Sequence, residues 1–246
     1  MYASGSTWTY NVMRAIAAAD EPGRAVHGGF VNTLADVAAL DASDDAIRVV
    51  KSHDLPADAA AALRRLAVGL CVTLRDPRDA VTSLMLYQRF PFDTALDWVG
   101  RSARFCEGMA GDPAALVLRF EAGFPDDPAT LDRIAGAMCA GLAAADRESV
   151  FAQSRRAAVE AVIAGLPTSP TMRRDAQSGD LEDPETQWHA HHAGRSGEVG
   201  RWRRMLSADQ ARTVQRELSG FMERFGYAAP AVAVRGGTVR FSTPWT

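Results

Sequence analysis

The chain has 246 residues, a formal net charge of −3 and a sequence pI near 6.0. This balance excludes a general nucleic-acid-binding or membrane-surface protein, which would need a basic face to attract phosphates. The apolar fraction of 47% is enough to bury one sizeable core. We therefore expect a single domain over residues 1–227, a tail over 228–246, and neither a nucleic-acid nor a membrane partner.

The cysteine pattern is typical of a cytoplasmic protein. Cys71, Cys106 and Cys139 are widely spaced and odd in number, and no apolar leader is visible before the first helix. We expect free thiols and a cytoplasmic location. Lys51 is the only lysine among 27 basic residues, so the site that it occupies is of interest.

Apolar patterns in the first half predict alternating helices and strands. A turn at Ser4–Trp8 leads into a helix with one apolar stripe. Short, partly β-branched runs then predict buried strands, and helical patterns separate them. The predicted strands are 47–50, 68–74 and 115–120, and the predicted helices are 56–66, 77–89 and 92–109. This order indicates βαβ units, and hence an α/β fold with helices on both sides of a mostly parallel sheet.

The second half is helical in pattern up to a long polar loop over residues 166–200. At 35 residues this loop is much longer than an ordinary connection, so it is either a functional lid or a disordered segment. Ser207 and Gln210 form a capping box for a last helix that ends at Gly226. The tail, residues 228–246, alternates around a Gly-Gly pair like a hairpin.

The first candidate site is the turn Ser4-Gly5-Ser6-Thr7-Trp8, where small and hydroxyl residues precede a helix. Backbone N–H groups and hydroxyls at such a turn can bind a phosphate. The alternative is an ordinary helix cap, because serine and threonine favour that position in any protein. The turn is not a Walker A loop, because the required glycine and lysine spacing is missing.

The second candidate site is the pair Lys51 and His53, which follows the predicted strand 47–50. Open α/β sheets bind ligands at this edge. There Lys51 can stabilise charge on a leaving oxygen, and His53 can accept a proton from an attacking hydroxyl. The alternative is that both are solvated loop residues. The single lysine favours the first interpretation, because this chain uses arginine everywhere else.

The third candidate site contains Arg75 and Ser83, eight positions apart across a strand end and the following helix. A guanidinium and a hydroxyl in this arrangement can bind one anion. The alternative is a surface cluster of ion pairs among Arg75, Asp76, Arg78 and Asp79, which would contribute little to stability. For Arg78 and Asp79 we prefer this second interpretation.

The fourth candidate site is Arg195-Ser196-Gly197, followed by Gly200 and Trp202. The glycines allow the backbone to approach a ligand, and Arg195 supplies a positive charge. By itself the segment is equally typical of a linker.

In order, spacing and residue type, the four segments together resemble the cytosolic sulfotransferases that use 3′-phosphoadenosine-5′-phosphosulfate (PAPS). The resemblance extends from about Tyr2 to Tyr227. It implies a P-loop-like, three-layer α/β/α fold and an enzyme that transfers a sulfuryl group from PAPS to a hydroxyl or amine of a small molecule. The product of the donor would be 3′-phosphoadenosine 5′-phosphate (PAP), no metal would be needed, and a homodimer is compatible with the resemblance.

The same resemblance implies roles for individual residues. His53 would be the general base, and Lys51 would stabilise the bridging oxygen in the transition state. Trp8 would stack on the adenine, while Arg75 and Ser83 would bind the 3′-phosphate. The implied donor-binding residues are Ser4, Gly5, Ser6, Thr7, Trp8, Arg75, Ser83, Phe120, Arg195, Ser196 and Gly197.

Three departures from the family pattern stand out. Ala3 replaces a basic residue that usually precedes the Ser-Gly pair, Ser196 replaces a lysine, and Arg201 replaces an aspartate. Only residues 1–3 precede the turn, where the family has a strand, and a chain start assigned too far downstream would explain this. We therefore keep open a non-catalytic relative that binds PAPS or PAP. A small-molecule kinase is a further alternative, but it would need Mg²⁺ and a loop lysine.

The stretch Trp188–His192 contains three histidines. No acidic or thiol residue lies at an obvious ligand spacing from them, so we predict no metal site. We expect these imidazoles either to be solvated or to line a cleft, and the family resemblance implies that their loop covers the acceptor.

Overall fold

The computed structural model describes residues 1–40, 44–168, 171–174, 179–192 and 197–227. Helices and strands alternate in the first half, and helices dominate the second. The strands are β1 (Val26–Phe30), β2 (Ile47–Lys51), β3 (Cys71–Leu74), β4 (Leu116–Arg119), β5 (Arg173–Arg174) and β6 (Leu181–Glu182). The helices are α1 (Ser6–Asp20), α2 (Leu34–Ala38), α3 (Ala57–Leu66), α4 (Pro77–Tyr87), α5 (Phe92–Met109), α6 (Ala129–Ala137), α7 (Ala144–Ser154), α8 (Arg156–Gly165), α9 (Trp202–Met205), α10 (Ala208–Glu217) and α11 (Ser219–Arg224).

Two pairs of parallel strands form the sheet layer. β1 pairs with β2, with Phe30 opposite Lys51, and β3 pairs with β4, with Leu74 opposite Arg119. Parallel neighbours require a crossover, and here α2 connects β1 to β2 while α4 and α5 connect β3 to β4. The predicted α/β class is confirmed. Within the described residues, however, the parallel strands form two separate pairs instead of one continuous sheet.

Apolar side chains pack on both sides of these strands. On one side, α1 buries Val12 and Ile16 against Leu131 of α6 and Leu118 of β4. On the other side, α3, α4, α5, α10 and α11 cover Leu74 of β3 in a larger cluster. Burial of one such aliphatic side chain contributes about 1.5–3 kcal/mol. The two clusters fix the positions of the strand ends, where the candidate residues lie.

The first four residues lie beside β3. The Met1 ammonium donates a hydrogen bond to the carbonyl oxygen of Thr73 at 3.0 Å. The Ser4 hydroxyl donates to the Met1 carbonyl at 2.6 Å and shares a hydrogen bond of 2.7 Å with the Thr73 hydroxyl. A cavity of about 100 Å³, lined by Met1, Val50 and Thr73 among others, lies between the two strand pairs. Where a strand was expected, the chain therefore forms a turn bonded to β3.

The last helical segment differs from its predicted form. The capping box is present, since Ser207 Oγ accepts from Gln210 N at 3.1 Å and Gln210 Oε1 accepts from Ser207 N at 2.9 Å. The helix is interrupted at Leu218, so that α10 and α11 replace one continuous helix. Val214 and Phe221 are both buried as their spacing predicts. The predicted hairpin of the tail lies outside the described residues.

Part of the predicted loop 166–200 has regular structure. β5 and β6 pair antiparallel, and a 3₁₀ turn follows at Ala190–His192. This segment contacts α1, where the Tyr10 hydroxyl donates to the carbonyl of Glu185 at 2.8 Å. The described 179–192 stretch is therefore attached to the first helix.

Two further findings concern the chain as a whole. Cys71, Cys106 and Cys139 are free thiols, as predicted. Among the helices of the described residues, none has both the length and the apolar character needed to cross a membrane.

Candidate active site

The turn before α1 has the geometry of an anion-binding site. Gly5 has a φ of 81°, and a Cβ at this position would lie 2.8 Å from Cζ of Phe124, so only glycine fits without a shift. Within the described residues, no side chain caps this end of α1 and no acidic residue lies in its first turn. The first N–H groups of a helix have no partner inside the helix, and its dipole favours an anion there. The turn can therefore bind a phosphate or sulfate group.

The two ends of this turn point into the protein. Ser4 is fully buried, and its hydroxyl is bonded to Met1 and Thr73. Trp8 is 7% exposed, and its indole N–H donates to the carbonyl oxygen of Ser154 at 2.8 Å. In these positions both side chains support the turn from inside. The stacking of Trp8 on adenine stays a prediction.

Lys51 connects the first two candidate segments. It is the last residue of β2, and its Nζ donates to Thr7 Oγ1 at 2.8 Å. Burial lowers the pKa of Lys51 to about 7, and the carboxylate of Glu182 acts in the opposite direction. A large part of the population is therefore neutral near pH 7. An incoming anion would favour the charged form, because opposite charges stabilise each other.

His53 lies two residues beyond the end of β2 and is surrounded by aromatic rings. Its ring centroid is 4.3 Å from that of Tyr2 and 5.6 Å from that of Phe30. Burial, and then the positive charge of Lys51, hold the pKa of His53 well below its usual value. Its Nδ1 is buried and has no hydrogen-bond partner among the described residues. A neutral imidazole of this kind is able to accept a proton.

Arg75 joins three of the candidate segments. One terminal nitrogen donates to the carbonyl of Ala3 and the other to that of Glu198, both at 2.8 Å. Its guanidinium carbon lies 4.6 Å from the centroid of the Phe120 ring. A Cβ on Gly197 would lie 3.2 Å from the same ring. The structure thus brings the N-terminal turn, the end of β3, the end of β4 and the late glycine segment together.

Arg78 and Asp79 are buried, so their interpretation as surface ion pairs is wrong. Asp79 is 2% exposed and accepts hydrogen bonds from the backbone N–H groups of Gly200 at 2.6 Å and Trp202 at 2.9 Å. Arg78 donates to the carbonyl of Tyr227 at 2.9 Å and lies over the Trp202 ring. Burial raises the pKa of Asp79. The reason for the error is that the late segment folds back over the start of α4 and covers both residues.

Glu121 is a connecting residue whose role is not predicted from the sequence. Its carboxylate accepts from the backbone N–H of Asp76 at 2.8 Å and from the hydroxyl of Tyr227 at 3.0 Å. It thereby links the end of β4 to the start of α4. The signal that could have identified it is its place directly after a buried strand, next to Phe120.

The remaining predicted residues are less well connected. Ser83 is half-buried on α4, and its hydroxyl forms no hydrogen bond among the described residues. Arg195 and Ser196 lie outside the described residues, so their predicted contacts with the donor stay predictions.

The histidines of the 188–192 stretch have acidic neighbours after all. Asp180 and Glu182 approach His189 and His191 in the folded chain. Sequence spacing is misleading here, because the antiparallel bridge between Glu182 and His189 brings the acidic residues to the histidines. Burial holds the pKa of His192 well below its usual value, and the charge of Lys51 adds to this effect. The histidines are thus near the candidate active site.

The fold has relatives among solved structures. The chain is similar to mouse sulfotransferase SULT7A1 complexed with PAP, with a TM-score of 0.60 and 13% identity, over 92% of this chain and 82% of that one. It is also similar to retinol dehydratase in complex with androsterone and inactive cofactor PAP, with a TM-score of 0.50 and 17% identity, over 80% of this chain and 58% of that one. The chain has a sulfotransferase fold.

The similarity to sulfotransferases is detected by comparison of structures and not by comparison of whole sequences. No protein-family model matches the chain, and no curated protein does. The TM-scores of 0.60 and 0.50 show the fold, but identities of 13% and 17% do not transfer a role to any residue. Each functional assignment must therefore rest on the contacts at the carboxyl ends of β2, β3 and β4.

Proposed function

We propose that the protein transfers the sulfuryl group of PAPS to a hydroxyl or amine of a small-molecule acceptor. The observation that carries this proposal is the 2.8 Å hydrogen bond from Lys51 Nζ to Thr7 Oγ1, which holds a buried amine at the N-terminus of α1. A helix N-terminus and an ammonium suit a phosphosulfate group, whose leaving oxygen gains negative charge. The two similar structures both contain PAP, which agrees with this donor.

The reaction is an in-line displacement at sulfur. For a hydroxyl acceptor, its oxygen forms a bond to sulfur while the bond from sulfur to the 5′-phosphate oxygen breaks, and PAP leaves with the electron pair. Lys51 Nζ moves its hydrogen bond from Thr7 Oγ1 to the leaving oxygen, and His53 accepts the proton of the acceptor hydroxyl. No protein group becomes covalently attached, so positioning and electrostatics supply most of the rate.

The neutral state of His53 supports its assignment as the base. Burial and the nearby positive charge lower its pKa, so the imidazole is unprotonated at neutral pH and can accept a proton. Tyr2 and Phe30 pack against its ring and limit its rotation. A proton on His53 beside a charged Lys51 is costly, which favours its loss to solvent after each turnover.

Arg75 is proposed to bind the 3′-phosphate. Two of its acceptors, the carbonyl oxygens of Ala3 and Glu198, are neutral. A phosphate oxygen is a stronger partner, because hydrogen bonds between charged groups are about twice as strong as neutral ones. Phe120 lies below the guanidinium and offers an aromatic face to the adenine. Ser83, Arg195, Ser196 and Gly197 complete the proposed donor site.

A protein that binds the donor without transfer is the second candidate. Ala3 favours it, since this residue contributes a carbonyl oxygen to Arg75 and no positive charge to the 5′ side of the donor. Such a protein would bind PAP and release no sulfated product.

Two measurements on the purified chain separate the candidates. Calorimetry with PAP in the absence of magnesium tests donor binding, and transfer of ³⁵S from labelled PAPS into a metabolite extract tests catalysis. Binding with transfer supports the enzyme, and binding without transfer supports the second candidate. Failure to bind PAP, with binding of ATP in the presence of magnesium, would show that sulfuryl transfer is the wrong reaction.

A further inference from the structure

Three of the five histidines of this chain occur within four residues, and the proposed sulfuryl transfer uses none of them. They are His189, His191 and His192, which we call the histidine cluster. Their ring centroids are 4.6 to 5.2 Å apart. Neutral imidazoles this close together present several nitrogen lone pairs to one small volume, an arrangement that suits a metal ion.

Asp180 brings a carboxylate to two of these rings. Its Oδ2 lies 2.5 Å from His191 Nδ1 and 4.0 Å from His189 Nδ1. One ligand atom from each of the three residues lies within 4.8 Å of the other two. A zinc ion bound tetrahedrally at about 2.0–2.2 Å has ligand atoms roughly 3.4 Å apart. Shifts of about an ångström would therefore complete a site for zinc.

Glu182 provides an independent indication. Its Oε2 lies 3.3 Å from Nε2 of His189, the ring nitrogen other than Nδ1. A carboxylate this close to Nε2 favours the tautomer that carries its proton on Nε2, which leaves the lone pair of Nδ1 available, as is usual for histidines that bind metals. Glu182 is itself held by an ion pair with Arg173.

The other ring nitrogen of His189, Nδ1, makes no contact in the described part of the chain that would explain its position. His189 Nδ1 is buried and has no hydrogen-bond partner among the described residues. A buried polar atom left without a partner destabilises the folded chain. A hydrogen bond between Asp180 and His191 explains their close contact without an ion. No such bond among the described residues explains why His189 buries its Nδ1 atom.

We propose that Asp180, His189 and His191 bind a divalent transition-metal ion, for which Zn²⁺ is the test ion. The ion would join the β5–β6 hairpin to the 3₁₀ turn at Ala190–His192. Three protein ligands leave one coordination position for water. This proposal does not depend on sulfuryl transfer, because these three residues can bind a metal ion whether or not the protein uses PAPS.

The test is a zinc titration of the full chain, purified without a polyhistidine tag and freed of metal by a chelator. Competition with a chromophoric chelator should give one Zn²⁺ per chain. His191→Ala and Asp180→Ala should each weaken binding at least tenfold. His27→Ala is the matched control, because His27 is exposed on β1. The zinc affinity of this variant should equal that of the unmodified protein.

Two further measurements protect the test against misfolding. Co²⁺ should give visible d–d absorption bands in the unmodified protein and in His27→Ala, but not in His191→Ala. Glu182→Gln preserves the size of the side chain and should weaken zinc binding about 10- to 100-fold, as is typical of groups that orient a metal ligand. This variant decides the question if His191→Ala fails to fold. Binding of less than one zinc per chain, or equal affinity in His27→Ala and Glu182→Gln, would overturn the proposal.

Discussion

The charge states of Lys51 and His53 are set by burial in the same small region. Both side chains are enclosed, and in both cases loss of solvation is the largest cause of a lowered pKa. A neutral base next to an amine that becomes charged when an anion binds is a suitable starting state for sulfuryl transfer. In the proposed cycle, Lys51 therefore becomes charged when the donor binds, whereas His53 becomes charged when it accepts the proton of the acceptor.

We expect His53→Ala to lose transfer activity and to keep its donor affinity. General-base catalysis contributes about 10²–10⁴-fold, so kcat should fall by roughly this factor. The Kd for PAP should change by no more than a few-fold, because the imidazole is proposed to contact the acceptor and not the donor. Labelled transfer and calorimetry give the two quantities. His27→Ala serves as the control, and full turnover by His53→Ala would exclude the imidazole as the base.

The pKa of Lys51 predicts a dependence of stability on pH. An unfolded lysine has a pKa of about 10.4, whereas the folded value is about 7. Between these values the unfolded chain binds more protons than the folded one, so the contribution of Lys51 to the free energy of unfolding rises with pH. Below pH 7 the full cost of burying the charge is present.

The comparison of the unmodified chain with Lys51→Met checks this. Denaturant unfolding at several pH values should find the variant more stable near pH 7, and its advantage should shrink steadily towards pH 10. An advantage that is constant with pH would show that Lys51 keeps an ordinary pKa in the folded protein.

At the scale of the elements, the start of α1 depends on Gly5. Gly5→Ala would place a methyl group 2.8 Å from the ring of Phe124, at a backbone conformation that alanine disfavours. Strain from a positive φ costs about 1 kcal/mol, and overpacking of this kind typically costs about 1–3 kcal/mol more. We expect a lower free energy of unfolding together with a weaker affinity for PAP.

Gly23→Ala is the matched control for this prediction. Gly23 has a φ of 98°, but nothing lies within 4 Å of a Cβ built there. It should therefore show the cost of the backbone conformation alone and should leave PAP affinity unchanged. Equal losses of stability in the two variants, measured by denaturant unfolding, would mean that the contact with Phe124 has no effect.

The regular elements were predictable where the pattern of apolar residues was strong. α5 has the predicted bounds, Phe92–Met109, because its stripe continues over five turns. β1 was missed, since His27-Gly28-Gly29 contains neither apolar alternation nor β-branched residues, and it forms only through pairing with β2. The break at Leu218 was missed because the apolar spacing continues through it.

The candidate site shows the same limit more clearly. Residue type and position at strand ends indicated Lys51 and Arg75. The role of Asp79 could not be predicted, because its partner Gly200 lies 121 positions away. The acidic partners of the histidine cluster were missed for a related reason, since a hairpin and a turn determine the distance from Asp180 to His191. Local sequence carries no information about such contacts.

At the scale of the whole molecule, donor binding should stabilise the folded chain. At PAP concentrations 100-fold above Kd, the expected stabilisation is about 2.7 kcal/mol. For a chain of this size that corresponds to an increase in Tm of roughly 5–10 °C. Thermal unfolding with and without PAP, in the absence of magnesium, measures this. Arg75→Ala should largely abolish the increase, and an unchanged increase in that variant would remove Arg75 from the donor site.

The two backbone acceptors of Arg75 have a kinetic consequence. The guanidinium connects Ala3, before α1, to Glu198, more than a hundred residues later. A phosphate that takes the place of either carbonyl oxygen releases the corresponding segment from the guanidinium. Release of a segment is a unimolecular step separate from nucleotide binding, so in stopped-flow experiments the observed association rate should level off at high PAP concentration.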